Sequence, residues 1–208
     1  MTRDGYLTSD PRAVRRHHIA RRAVHLVSPA FLVYYLMDAE YLGVSKRFMV
    51  IVALMLVLSF EGARLRYRWR IPGTRRWELD RPSAAAMGGV GLGFSILLLP
   101  PHLVVATFLG MSAIDPLMGE LRDAKVGRSD AIGFAGYAVL FAAVHLLFFP
   151  GFPPAFLLIY APLASLLAVV AERRSPIWLD DDLAMQIAPL VVLVPLDLAL
   201  GAGSLQIP

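Results

Sequence analysis

Three groups of acidic residues in this chain stand where apolar stretches begin or end, each with arginine or lysine nearby or in the same polar loop. Asp115 lies in Ser112-Ala113-Ile114-Asp115-Pro116-Leu117-Met118-Gly119-Glu120, followed by Arg122, Asp123 and Lys125. Glu172 closes another apolar run directly before Arg173-Arg174, and Asp180-Asp181-Asp182 opens the last one. Carboxylates held close together repel unless a cation sits between them, and Mg2+ favours one or two carboxylates completed by substrate phosphates. Arg grips phosphate through paired hydrogen bonds and Lys as a point charge. Acidic and basic residues mixed in this way have the composition that a metal–nucleotide site needs. Plainer readings stand beside it. Asp115 followed by Pro116 also fits a helix start, a capping residue with proline at the first position. The three aspartates also fit a solvated N-terminal turn favoured by the helix dipole.

Other motifs divide in the same way. Arg21-Arg22-Ala23-Val24-His25 sets Arg21 and His25 four apart, on one helical face, where a phosphate could be held. A basic anchor at a membrane surface with an incidental histidine accounts for it equally. His102 and His145 stand in apolar surroundings without a neighbouring ligand and read as structural, and His17-His18 has no companion that would make a zinc site. Gly88, Gly89, Gly91 and Gly93 lie within an apolar stretch, where small residues permit close helix packing. No Walker lysine pattern and no GxSxG elbow is present. The absence of cysteine excludes disulfides, thiolate metal sites and cysteine nucleophiles.

The elements that must position these residues are membrane helices. Of the 208 residues, 57% are hydrophobic and 17% charged, against about 45–50% and about 25% in soluble domains. Seven stretches approach the roughly 17–25 apolar residues of a spanning helix: 23–42, 47–63, 84–101, 102–118, 131–150, 153–171 and 183–203. Pro100-Pro101 alone separates the third from the fourth, and the breaker-rich Pro150-Gly151-Phe152-Pro153-Pro154 separates the fifth from the sixth. The apolar runs are continuous rather than alternating, which speaks against strands. The expectation is an all-α polytopic transmembrane bundle of about seven spans: a basic segment, 1–22, followed by one helical domain, 23–208.

If all seven stretches cross, 18 of the 20 Lys and Arg residues fall on one side, leaving Lys46 and Arg47 on the other. Positive loops stay cytoplasmic, so the N-terminus is expected inside, with any chemistry on the cytoplasmic face. The net charge of +4 then records orientation rather than an affinity for nucleic acid. The ionisable residues gather at one face instead of lining a path across the bilayer, which disfavours transport.

In order along the chain, these pieces resemble the dolichol kinase / phytol kinase family of membrane polyprenol kinases, relatives of the phosphatidate cytidylyltransferases. The resemblance runs from about residue 21 to 195. It begins at Arg21-Arg22-Ala23-Val24-His25 and continues through Glu61-Gly62-Ala63-Arg64 and Glu78. Ile114-Asp115-Pro116-Leu117-Met118-Gly119-Glu120 stands for the family's Gly-Asp stretch, and Arg128-Ser129-Asp130-Ala131-Ile132-Gly133 for its Lys-Ser element. Glu172 with Asp180-Asp181-Asp182 is similar to the family's glutamate and Asp-Asp-Asn segment. The chain departs at Ile114 for glycine, Arg128 for lysine and Asp182 for asparagine, positions that bear on nucleotide preference. The resemblance implies phosphoryl transfer from a nucleoside triphosphate, CTP before others, to an isoprenoid alcohol, with Mg2+ as cofactor. Asp115 would be a catalytic metal ligand, helped by Glu120, Asp123 or Asp181. Arg122, Lys125, Arg128 and Ser129 would contact the nucleotide phosphates, as would Arg21 with His25. Glu172 would orient the lipid hydroxyl or take its proton. A cytidylyltransferase and a non-catalytic transporter or scaffold are the alternatives.

Overall fold

The computed structural model describes residues 11–69, 71, 76–174 and 180–201. The first ten residues of the basic segment, Arg70 and Arg75 of the basic loop, and positions 202–203 of the last apolar stretch lie outside them. Among the described residues there are seven α-helices: α1 (Pro11–Val27), α2 (Lys46–Tyr67), α3 (Ala84–Leu98), α4 (Pro101–Asp123), α5 (Ser129–Phe148), α6 (Pro154–Arg174) and α7 (Asp181–Leu200). Five of them, α2 and α4 to α7, are long and apolar enough to cross a membrane. Many large apolar side chains on these helices face outward, among them Leu56, Val139, Leu147, Leu158 and Val191. An outward apolar surface of that extent is what a hydrocarbon environment calls for. The protein is an all-helical, multi-pass membrane protein in its architecture. The chain divides into two compact units, Met1–Gly93 and Phe94–Pro208.

In the first unit the stretch 23–42 is not one helix. The α-helical ladder ends at Val27, a 3-10 helix follows over Ser28–Leu36, and a hairpin follows that. The reason is local. Pro29 has no N–H to give the His25 carbonyl, as α-helical continuation would require; the Ser28 hydroxyl donates to that carbonyl instead, at 2.8 Å. Two short strands, β1 (Glu40–Tyr41) and β2 (Val44–Ser45), pair antiparallel. Leu42 and Gly43 between them both have positive φ, 53° and 75°, as a two-residue type I′ turn demands. So a small hairpin does occur where no strand is expected. Ser45 then caps α2, its hydroxyl accepting from the Phe48 N–H at 3.2 Å. The third stretch forms α3, 15 residues long and shorter than about 17. Its glycines divide: a Cβ on Gly93 would meet Leu54 of α2 at 2.5 Å, whereas Gly88 faces open space. Close packing therefore explains Gly93 and leaves Gly88 unaccounted for.

The second unit is a four-helix arrangement in which α4 packs on α5, α5 on α6, α6 on α7 and α7 back on α4. Short connections make successive helices antiparallel. Pro101 stands at the first turn of α4, where its missing N–H costs nothing, and the chain breaks between Phe148 and Pro154 where the proline-rich turn is expected. The helices approach through glycine. A Cβ on Gly110 would lie 2.7 Å from two ring carbons of Tyr137, a ring that is fully buried and whose hydroxyl donates to the Thr107 carbonyl at 3.1 Å. Gly110→Ala should therefore destabilise the unit by about 1–3 kcal/mol through overpacking, although alanine is the better helix former by about 1 kcal/mol. Thermal unfolding of the purified protein in detergent checks the sign: a rise in midpoint would contradict this packing.

Candidate functional site

One end of the four-helix unit gathers the C-terminal turns of α4 and α6 and the N-terminal turns of α5 and α7, which carry most of the residues singled out above. Asp115 does not cap a helix. Helix α4 continues through Pro116 to Asp123, so the helix-start reading of that pair is corrected. Proline inside a helix removes one ladder hydrogen bond, and here it stands directly beside the carboxylate.

On α7, Asp180 is the capping residue, its Oδ1 accepting from the Asp182 N–H at 3.1 Å. That part of the plainer reading holds, but only Asp181 is partly exposed: Asp180 is 2% and Asp182 4% exposed. One carboxylate oxygen from each of Asp180, Asp181 and Asp182 lies within 4.8 Å of the others. An oxygen of Asp115 lies within the same distance of one from Asp182. The Asp115 carboxylate of α4 and the Asp182 carboxylate of α7, far apart in sequence, thus share one end of the bundle. The three aspartates of the α7 turn offer only oxygen donors, the kind that hard divalent cations take.

A second feature adjoins it. Arg122 of α4 grips Glu172 of α6 with two parallel hydrogen bonds, at 2.5 and 2.6 Å. The Glu172 side chain is nearly buried and the Arg122 side chain partly exposed. Arg122 also stands 3.9 Å from Asp130 of α5, which pairs in turn with Arg173 of α6. Alternating charges thus tie together the ends of three helices, and Asp115 lies within electrostatic reach of Arg122. Arg122 and Glu172, singled out separately as a phosphate contact and a catalytic carboxylate, spend their side chains on each other. Either must loosen that grip to meet a substrate.

The remaining candidates are spread more widely. Glu120, Asp123, Lys125 and Arg128 are exposed along the last turn of α4 and the link to α5, with Lys125 in the left-handed region at φ 55°. Ser129 is buried at the start of α5. Arg21 and His25 stand one turn apart on α1 and belong to the first unit, with His25 buried. In that unit Glu78 is buried as well. Burial pushes its carboxyl up, against the pull of the Ala84 N–H and of the Arg21 and Arg64 charges.

Gln186 is a residue that sequence reasoning passes over. It lies one turn beyond Asp182 on α7, is fully buried, and neither its amide nitrogen nor its amide oxygen has a hydrogen-bond partner among the described residues. A glutamine within an apolar run carries no pattern of its own. The only available signal is its spacing of four from Asp182, which puts both on one helical face.

The chain matches no family model, no curated protein and no solved structure.

Proposed function

We propose that this protein is a membrane kinase that moves the terminal phosphoryl group of a nucleoside triphosphate, CTP before others, to an isoprenoid alcohol. The observation that carries this reading is the approach of Asp115 and Asp182, each from a different helix, at the end of the bundle where Arg122 and Glu172 meet. Phosphoryl transfer asks little covalent chemistry of a protein and a great deal of positioning and charge neutralisation. Asp115 and Asp182, with Asp181, Glu120 and Asp123 in the neighbouring turns, are the residues that would hold Mg2+. Bound there, the ion would supply neutralisation of the triphosphate charge. Lys125 and Arg128, both exposed, would meet phosphate oxygens, and the buried Ser129 beside them would add a hydroxyl donor. Glu172, on loosening its paired hydrogen bonds to Arg122, would orient the lipid hydroxyl. The alcohol's chain would lie along the apolar outer faces of the helices. The basic partition of the sequence supports a cytoplasmic location for this end of the unit.

The test uses the purified chain in detergent with Mg2+, a panel of prenols, and nucleoside triphosphates labelled either at the γ- or at the α-phosphate. Label from the γ position alone is expected in the lipid. Label from the α position would make the protein a cytidylyltransferase, and no label from either would overturn the reading.

A further inference from the structure

The opposite end of the four-helix unit holds a second polar cluster, which the phosphoryl-transfer reading does not use. His102 and His145, which read from sequence as isolated structural residues, are neither isolated from each other nor without a partner. His102 Nε2 stands 3.4 Å from Asp197 Oδ1, and the Tyr160 hydroxyl donates to the same oxygen at 3.3 Å. The His102 and His145 rings meet edge to face with centroids 5.6 Å apart. Each of the four helices contributes one group: His102 from α4, His145 from α5, Tyr160 from α6 and Asp197 from α7. Phe152, in the turn between α5 and α6, lies against both imidazoles and the Tyr160 ring, with centroids 5.3, 4.6 and 5.5 Å away.

The hydrogen bonds leave this cluster one proton short. A backbone carbonyl can only accept, so the 2.9 Å contact of His145 Nδ1 with the Phe141 oxygen puts the proton on Nδ1. His145 Nε2 is then a bare acceptor, and it is buried with no partner among the described residues. Asp197 makes both its contacts, with His102 and Tyr160, through Oδ1, and its Oδ2 is likewise buried without a partner among the described residues. Asp197 and His145 are each 1% exposed. With both imidazoles neutral, an ionised Asp197 brings an uncompensated negative charge into an apolar interior. Such a charge is costly there, and an ionisable residue inside a membrane helix is by default a candidate functional site. A single added proton, on His145 Nε2 or Asp197 Oδ2, turns one of two acceptors into a donor and makes the cluster neutral.

We propose that His102, His145, Tyr160 and Asp197 form a proton-binding site at this end of the bundle, taking up one proton from solution by way of His102, the most exposed of the four. The experiment uses the whole chain, folded in lipid nanodiscs and labelled at histidine with 13C and 15N. Imidazole resonances and the infrared band of a protonated carboxyl are followed over about pH 4–9. A reversible one-proton titration is expected from a resonance that disappears in His145→Gln or from a carboxyl band that disappears in Asp197→Asn. Each substitution should also move the midpoint of the surviving signal by about one pH unit or more. If Asp197→Asn fails to fold, as helical circular dichroism would show, the wild-type titration and His145→Gln decide alone. Signals from His102, His145 and Asp197 that stay constant across the whole range overturn the proposal. So does a titration that both variants leave unchanged.

Discussion

Replacing Asp115 with asparagine is expected to lower transfer of labelled phosphate to a prenol by about 10²–10³-fold, the usual cost of removing one preorganised electrostatic contact from a reacting centre. Asparagine keeps the shape of the side chain and removes its charge, so α4 should still run through Pro116 and the four-helix packing should persist. Asp182→Asn should act in the same direction, because its carboxylate oxygen lies within 4.8 Å of one from Asp115. Residues that serve one site are non-additive, so the double variant should lose little more activity than the worse single one. Asp38→Asn, exposed on the way into the hairpin, is the control and should retain full turnover. Circular dichroism and unfolding midpoints separate loss of function from loss of fold. Asp115→Asn with undiminished turnover would remove the residue from the proposed chemistry.

The largest expected effect on stability is at Arg64. Its guanidinium is 1% exposed and engaged through all three nitrogens. It donates to both oxygens of Glu61, at 3.0 and 2.7 Å, to the Glu78 carbonyl at 2.8 Å and to the Arg81 carbonyl at 2.6 Å. Glu61 in turn accepts from the Ser83 N–H at 2.6 Å, and Ser83 caps α3 by accepting from the Ala86 N–H at 3.2 Å. One ion pair thus joins the end of α2, the basic loop and the start of α3. Arg64→Met leaves a buried carboxylate without its cation and removes the Arg64 donor from two carbonyls. Breaking a buried pair from one side costs about 3–5 kcal/mol, which should appear as a lower unfolding midpoint for the purified protein. Glu61→Gln in the same background restores an uncharged side chain that still accepts from Ser83. The double variant should therefore be more stable than Arg64→Met alone. Additive losses from the two substitutions would show that the pair is not coupled.

Sequence and fold diverge most at the pairings. A run of apolar residues, a proline and an arginine excess are local quantities, and they suffice for an all-helical membrane chain with breaks near Pro100 and Pro150. Local patterns also mislead locally. Residues 23–42 are apolar enough to span, yet Pro29 cannot supply the N–H that would carry α1 onward. Asp115-Pro116 has the form of a helix start, yet α4 runs continuous across it.

What the chain by itself determined is which segments are helical and apolar, because hydrophobic length and backbone hydrogen bonding depend on neighbours in sequence. The tertiary structure alone decided who meets whom: Arg122 with Glu172, 50 positions apart, His102 with Asp197, 95 apart, and Asp115 with Asp182. In a helix the side-chain period records only which face a residue occupies. It carries no information about the helix that face will meet, and a charge buried at the meeting point finds its partner only when the bundle closes.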